Sequence, residues 1–343
     1  MIKSYQLELS DERWIDFVES FPQANIFHHT VWANLIAECY GYRPFVIALI
    51  DEDNKICAGL PFLEVDNFLL GKCWVSLPYT DYCSPLFRDH NALENLTVEL
   101  VRLSQDNHDI HIEVRWELQG IQPIQKTSLY VHHSLNLNRD IDSIIKSFHR
   151  AQRQNIKTAE KNDVVIKRGE NIEYLHQFFQ LHCHTRRRKG IPVQPWRFFE
   201  ILLNKVIENG HGFVLLAFKD DQCLAAGLFL NCHQTLCYKY SASINCNQNL
   251  RPNHLLTWTA IRWGYENGFK IFDFGRTAID DEGLRTYKNR WGAEEKPLPY
   301  SLLSVGSPRF SLVSMEPLMH KIIQNSPIWV CRLAGNLLYR HFG

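Results

Sequence analysis

The stretch "FVIALIDEDNKICAGLPFL", from Phe45, and the stretch "FVLLAFKDDQCLAAGLFLN", from Phe213, lie on one another without a gap. Phe45 falls on Phe213, Val46 on Val214, Asp53 on Asp221, Ala58 on Ala226, Gly59 on Gly227 and Leu60 on Leu228. Each copy reads as strand, acidic turn, strand, which is a β-hairpin whose second strand carries Ala-Gly-Leu. The elements that follow keep the same order. After the first hairpin come the apolar strand "CWVSLPY", the helical pattern Leu93, Leu96, Leu100, Leu103, and the strand "IHIEVRW". After the second come "TLCYKYSA", the helical pattern Leu255, Trp258, Ile261, Tyr265, and "KIFDF". Two amphipathic helices precede the second hairpin: Ile172 to Lys189, stopped by Gly190, and Pro195 to Asn209, opened by a proline and stopped by Gly210. One hairpin could match by chance. The hairpin together with the element order predicts two tandem copies of one α/β unit.

The join falls near residue 140, where Asp140 or Asp142 would cap a helix running to about Lys161. The expected organisation is residues 1–139, residues 140–310 and a basic amphipathic tail, residues 311–343. No Pro/Gly/Ser linker separates the halves, so a cleft between two packed units is expected. Lys+Arg and Asp+Glu balance at 37 each, so net charge argues for no polyanionic partner, although local patches can. Ten cysteines stand as isolated residues without a CxxC pair, and Met1 to Ser10 is polar. This reads as reduced, buried thiols in a cytoplasmic protein. No stretch approaches the ~18 apolar residues of a spanning helix.

Two helices, a hairpin with a glycine in its second strand, a strand, a helix and another strand is the order of a GNAT-type N-acetyltransferase unit, a central mixed sheet flanked by helices. Two in tandem resembles the Fem-type aminoacyltransferases that build peptidoglycan cross-bridges. "RPNHLLTWTAIRWGYENGFKIFDFGRT", "DDEGLRTYKNRWGAEEKPLPY", "HHTVWANLIAECYGYRP" and "LPYTDYCSPLF" are similar to segments of Fem-like proteins found with cell-envelope and exopolysaccharide genes. The resemblance implies an acyl- or aminoacyltransferase acting on an amine or hydroxyl of a peptidoglycan or envelope-polysaccharide precursor. It implies no tightly bound cofactor, and a donor that is either aminoacyl-tRNA or acyl-CoA. Two departures touch the donor. There is no room for the long helical hairpin with which many Fem enzymes handle tRNA. The place of the glycine-rich loop that cradles the pyrophosphate of acyl-CoA reads "NQNLRPNHLL", with no glycine. The rival readings are an acyl-CoA-dependent N-acyltransferase of an exopolysaccharide sugar, and a non-catalytic protein that holds RNA or an anionic lipid carrier.

Amide-forming acyl transfer needs a neutral amine, a stabilised oxyanion and a compensated leaving group, and a fixed cation serves the last two. From its residues alone, Lys288 in "TYKNRWG" reads as a surface lysine in a turn-rich segment; the resemblance matches it to the Fem-type "FK" lysine, with Tyr287 in place of Phe. Arg276 follows the end of the Phe-Asp-Phe-Gly strand, either as a functional cation or as an ion-pair partner of Asp273, Asp280 or Asp281. Asp273, placed with the catalytic residues, is a polar-face residue, a general base or an orienting group, and orientation of Arg276 is the reading favoured. Tyr238 and Tyr240, two apart on a strand, are expected on one face, either as core or face tyrosines or with one of them presenting a phenol to the cleft. We place Tyr240 with the catalytic residues and Tyr238 with the donor. Lys146, Arg150, Arg153, Lys157 and Lys161 form a cationic helical stripe, either suited to a polyanion or a solvated face paired with acids elsewhere. Arg150, Arg153 and Lys157, with Asn253 and His254, complete the donor-binding set. By resemblance the loop with Tyr79, Asp81 and Tyr82 serves the acceptor, a glycan or lipid-linked precursor; the plain alternative is an Asp turn with aromatic packing. His182, Cys183 and His184 are too close in a helix to converge on one metal ion. The tail either packs on the second unit or makes a peripheral contact with the inner membrane face.

Overall fold

The computed structural model describes residues 2–67, 71–107, 110–119, 124–303 and 316–339, and these form two compact units. The first holds β1 (Lys3–Leu7), α1 (Glu12–Glu19), α2 (Thr30–Tyr40), β2 (Arg43–Ile50), β3 (Ile56–Asn67), β4 (Gly71–Val75), β5 (Leu86–Phe87), α3 (His90–Asp106), β6 (Ile110–Val114) and β7 (Gln125–Thr127). The chain comes back to this sheet late, with β15 (Tyr300–Leu303), giving the order β1-β2-β3-β4-β6-β15-β7, with β5 paired to β3. β8 (Tyr130–Asn136) leads into the second unit. There follow α4 (Ile141–Ser147), α5 (Arg150–Lys161), β9 (Val165–Gly169), α6 (Ile172–Arg188) and α7 (Trp196–Leu202), which widens into a π-helical stretch, Leu203–His211. Then come β10 (Gly212–Lys219), β11 (Gln222–Cys232), β12 (Thr235–Ser243), α8 (Pro252–Glu266), β13 (Ile271–Ala278), α9 (Glu282–Asn289), β14 (Glu294–Pro297), α10 (Glu316–Asn325) and α11 (Ile328–Leu338). The second sheet runs β14-β8-β13-β12-β11-β10-β9.

The expected duplication is present in both order and topology. β1-α1-α2-β2-β3-β4-α3-β6 matches β9-α6-α7-β10-β11-β12-α8-β13, and the sheet orders β1-β2-β3-β4-β6 and β9-β10-β11-β12-β13 correspond strand for strand. Each sheet has a parallel pair joined by a crossover helix: β4 with β6 over α3, β12 with β13 over α8. The central strands β2, β10 and β11 are buried along nearly their whole length, as strands covered on both faces must be. This is an α/β fold of two tandem GNAT-like units. The hairpins correct one detail. Ala48 pairs with Gly59, whereas Leu216 pairs with Ala226 and Gly227 faces Leu215. The ungapped overlay is therefore one residue out on the second strand. A one-residue slip turns every side chain to the other face. A Cβ at Gly59 would meet Trp14 of α1, and one at Gly227 would meet Phe229 and Leu256 of α8.

Asp140 caps α4, its carboxylate accepting from the Ser143 amide at 2.8 Å. The single helix expected from there to Lys161 is broken. Phe148 and His149 are extended (φ −69°, ψ 136° and φ −55°, ψ 145°). Phe148 is pulled inward between the rings of Trp258 and Trp291, at 5.7 and 5.1 Å. The His149 amide donates to the Arg290 carbonyl, and its ring accepts from the Ala151 amide to cap α5. Core burial here outweighs helix continuity, and it leaves Lys146 on a separate helix from the rest of the stripe.

The tail helices pack back on α6. Cys331 is fully buried, Arg332 lies 5.3 Å over the Phe179 ring, and Gln324 Nε2 donates to the Arg188 carbonyl. Among the described residues no helix is long and apolar enough to cross a membrane. Gly335 lets α11 come so close that an added Cβ would fall on the Val193 carbonyl oxygen, a backbone atom that cannot swing away. Gly335→Ala should therefore cost about 1–3 kcal/mol. The check is a lowered urea midpoint, with faster proteolytic clipping after α10.

Candidate active site

The parallel pair β12–β13 starts in register, Thr235 with Ile271, Leu236 with Phe272 and Cys237 with Asp273, and pairs no further, although both strands continue. Past this fork their backbone groups cannot satisfy one another and need other partners. Gly275 bends β13 at the fork with φ 68°, a conformation that costs other residues. Asp273 is 1% exposed, and its Oδ1 accepts from the Gly275 amide at 2.6 Å and from His132 Nε2 of β8 at 2.7 Å. Lys288, on α9, is 6% exposed, and its Nζ donates to the carbonyls of Gly275 and Arg276, both at 3.0 Å. The kink thus gathers a buried ammonium, a buried carboxylate and an imidazole around the strand segment from Asp273 to Arg276.

A second network holds α9 in place. Asp281 caps the helix through the Leu284 amide. Arg285 binds Glu295 of β14 through two nitrogens, at 2.8 and 3.2 Å, and Glu295 also accepts from Asn289 and from His133 Nε2. The Arg285 guanidinium, first among these donors, holds the Glu295 carboxyl down to about 2. His133 is pushed down to about 4, by burial first and then by the Lys288 charge. His132 and His133 are adjacent on a strand and so serve opposite sides. Their carboxylate partners are Asp273 and Glu295.

The expected residues fall as follows. Lys288 is in a helix and buried, not in an exposed turn, so its removal takes the donor from two strand carbonyls and costs stability, ~1–3 kcal/mol. Arg276 lies within β13, which runs on to Ala278, and is half-buried. The carboxylate of Asp273 is directed to Gly275 and His132. Tyr238 and Tyr240 do not share a face. A bulge in the β11–β12 pairing sets Leu228 opposite Tyr240 and Phe229 opposite Tyr238, with Lys239 extra. Tyr238 stacks on Phe229 at 4.5 Å in the core beneath α8, where burial raises its phenol. The Tyr240 oxygen accepts from Gln194 Nε2 at 3.1 Å on the α6–α7 side, amid Phe178, Phe198 and Phe199.

Arg150, Arg153 and Lys157 are exposed on α5 and line a groove of about 520 Å³ floored by Ile145, Phe148, Ile156 and Trp258. His254 opens α8 and is tied to α5, its Nε2 accepting from Asn155 Nδ2 at 3.1 Å; burial pushes its ring down to about 4. Neighbouring Asn253 has a buried Oδ1 without a hydrogen-bond partner. Tyr79, Asp81 and Tyr82 belong to the first unit. Tyr79 (φ 60°) shares a hydroxyl hydrogen bond with Tyr42, the Asp81 carbonyl accepts from the Tyr300 hydroxyl at 2.6 Å, and Tyr82 packs on Phe27 and Trp116. His182 is buried, hydrogen-bonded to Gln194 and pushed down to about 3, first by burial. Among the described residues no three His, Cys, Asp or Glu side chains could hold a metal. Sequence reasoning passed over His132, His133, Arg285 and Glu295; the paired histidines in "YVHHSLN", on an alternating strand beside the join, were the signal.

A family model described as an acetyltransferase (GNAT) domain matches residues 146–289. The lipid II:glycine glycyltransferases of Staphylococcus saprophyticus and Staphylococcus haemolyticus are 21% and 20% identical. They match over 93% and 94% of this chain and 95% and 96% of their own. The chain is an acyltransferase with a GNAT domain, similar along nearly its whole length to Fem-type enzymes. The Fem-type alignment with the first of these relatives runs over 411 residues against a chain of 343, so that relative carries segments with no counterpart here. The fold of this chain recurs in the crystal structure of FemX, at TM-score 0.69 and 16% identity, over 93% of this chain and 100% of that one. It recurs also in L-PGS from Bacillus licheniformis, at TM-score 0.57 and 13% identity, over 93% and 99%.

His133, His182 and His254 are all buried with their rings held well below the ordinary histidine range. On unfolding each regains a value near 6.5. Between about pH 6.5 and 4 the unfolded chain therefore binds more protons, and stability falls as pH falls, by at most ~1.4 kcal/mol per pH unit for each group. Urea midpoints measured across this range should drop steadily toward acid. His182→Gln should make that dependence shallower.

Proposed function

We propose that this Fem-type enzyme forms an amide by moving an aminoacyl group from the ester of a charged tRNA to the amine of a lipid-linked peptidoglycan precursor. The observation that carries the reading is the Lys288 ammonium, buried and fixed by two strand carbonyls at the kink of β13. A cation held in a low-dielectric site lowers the energy of a developing oxyanion without having to reorganise. The relatives that align over more than nine-tenths of both chains are named for glycyl transfer with lipid II. Arg276, on the same kink, adds positive charge. Arg150, Arg153 and Lys157 would meet the donor's phosphates, Trp258 would give a base a surface to stack on, and Asn253 and His254 would meet the donor at the start of α8. Tyr238, packed beneath α8, and Tyr240 would support the donor and catalytic sides through the strand that carries them. Tyr79, Asp81 and Tyr82 serve acceptor recognition. On α10 and α11, Ile322, Trp329 and Leu333 stay exposed, and a lipid-linked acceptor gives that apolar face a reason to rest on a membrane.

The direct test supplies purified protein with a set of charged tRNAs, glycyl-tRNA among them, and lipid II in detergent, and weighs the acceptor by mass spectrometry. A gain of one aminoacyl residue is expected. Transfer only from acyl-CoA, or none from any donor, would sink the proposal. Lys288→Met should lower turnover about a hundredfold or more, measured below its own reduced melting temperature so that the loss is one of chemistry.

Arg150, Arg153 and Lys157 changed together to glutamine should raise the donor KM, with most of the effect at low ionic strength because exposed charges are screened within about 10 Å at 0.1 M salt. Titration of donor at two salt concentrations separates this from a solvated face, which would leave KM unchanged at both.

A further inference from the structure

We propose that His132 is the general base of this reaction, held in one tautomer by Asp273. The inference rests on the acyl-transfer reading above. Three observations at the fork support it. The Asp273 carboxylate is 1% exposed and accepts from both the Gly275 amide and His132 Nε2, so its position is fixed from two directions. A carboxylate can only accept, so the ring hydrogen sits on Nε2 and the lone pair on Nδ1. The His132 side chain keeps 18% of its surface exposed, whereas its neighbour His133 has none. One histidine of the pair is sealed in the network that braces α9. The other lies at the edge of the site, on the strand beside β13 in the sheet order.

The same residues of β13 set the base and the cation. Gly275 gives its amide to the carboxylate that holds His132, and its carbonyl to Lys288. Among the described residues, the charged and titratable groups facing His132 include Asp273 on β13 and His133 on its own strand; Lys288 on α9 and Glu295 with Arg285 act on His133. The acceptor ammonium first loses one proton to water. Its nitrogen then attacks the ester carbon. The C–N bond forms as Nδ1 of His132 takes a second proton from that nitrogen, and the charge on the carbonyl oxygen develops in the field of Lys288. The tetrahedral species collapses, the C–O bond to the tRNA ribose breaks, and the imidazolium returns its proton to the departing ribose oxygen. The balance is one amide, one free hydroxyl and one proton released. A positioned base of this kind contributes ~10²–10⁴-fold.

The experiment compares wild type, His132→Gln, His132→Ala and Asp273→Asn in the transfer assay from pH 5 to 9. Glutamine can still donate to Asp273 but cannot take up a proton, so His132→Gln keeps the local hydrogen bond while removing the base. Matched circular dichroism and melting curves confirm that each variant is folded. We expect His132→Gln to lose about a hundredfold or more in kcat with KM near that of wild type. The acid limb of the wild-type kcat profile should vanish. Added imidazole should restore turnover to His132→Ala in proportion to its neutral fraction. Asp273→Asn should lower kcat and shift the acid limb. His132→Gln within about threefold of wild type, an unchanged acid limb in it, or His132→Ala that imidazole cannot rescue would each overturn the proposal. Wild type that transfers nothing from any donor is a different result, since it removes the acyl-transfer reading itself.

Discussion

The end of pairing between β12 and β13 at Cys237 and Asp273 is the constraint around which the second unit's buried charges are arranged. A strand buried in a sheet has its amides and carbonyls satisfied by neighbours, and a strand that parts from its neighbour inside a protein does not. Here the deficit is met by side chains. Asp273 accepts the Gly275 amide, and Lys288 donates to the Gly275 and Arg276 carbonyls. Burying a carboxylate or an ammonium is costly unless it is paired and hydrogen-bonded. At this fork the backbone itself supplies the partners. Groups that repair the sheet are also the groups with charge to offer a reaction.

Such an arrangement works only if α9 is held still. Lys288 sits near the end of an eight-residue helix, too short to be stable by propensity. It is fastened at one end by the Asp281 cap. At the other end, Arg285 and Asn289 converge on Glu295, and the Tyr287 and Trp291 rings pack with His254. Trp291 is fully buried and meets Phe148, the residue that breaks the helix before α5. The break after α4 and the placement of the cation are therefore parts of one packing solution. The cost of interrupting a helix is offset by a tryptophan-centred core under the site.

What the sequence made legible follows from this physics. Two hairpins with the same apolar alternation and the same glycine disclosed the duplication, because burial on both strand faces imposes one pattern wherever it occurs. Lys288 and Asp273 could be singled out as charged residues beside a buried strand, but their partners could not be named. Pairing across a sheet depends on register, and register is shifted by events that leave no local mark. The extra residue Lys239 turns Tyr238 and Tyr240 to opposite faces, and the one-residue difference between the hairpins does the same to Gly59 and Gly227. His132 escaped notice for a related reason. It is distant in the chain from Asp273, and only the placing of β8 beside β13 makes them neighbours.

The duplicated unit offers an internal control for reading the fork as a chemical site. In the first unit β4 and β6 part at the corresponding point, just after Val75 and Glu113. There the chain closes over the opening. The Ser76 amide donates to the Glu113 carbonyl, the Ser76 hydroxyl accepts from the Arg115 amide, and the Cys83 amide donates to the Arg115 carbonyl. Arg115 is 6% exposed, pairs with Glu113 and donates through Nη1 to the Thr80 carbonyl, while Thr80 Oγ1 accepts from Trp32 Nε1. Leu77 and Tyr79 take left-handed conformations (φ 64° and 60°) to make the loop fit. The same topological break is thus sealed by a strained, hydrogen-bonded loop in one copy and by a lysine and an aspartate in the other. A loop fixed this tightly loses little entropy when it binds something, which suits recognition by the side chains of Tyr79, Asp81 and Tyr82. A fork repaired with an ammonium and a carboxylate suits the transfer step.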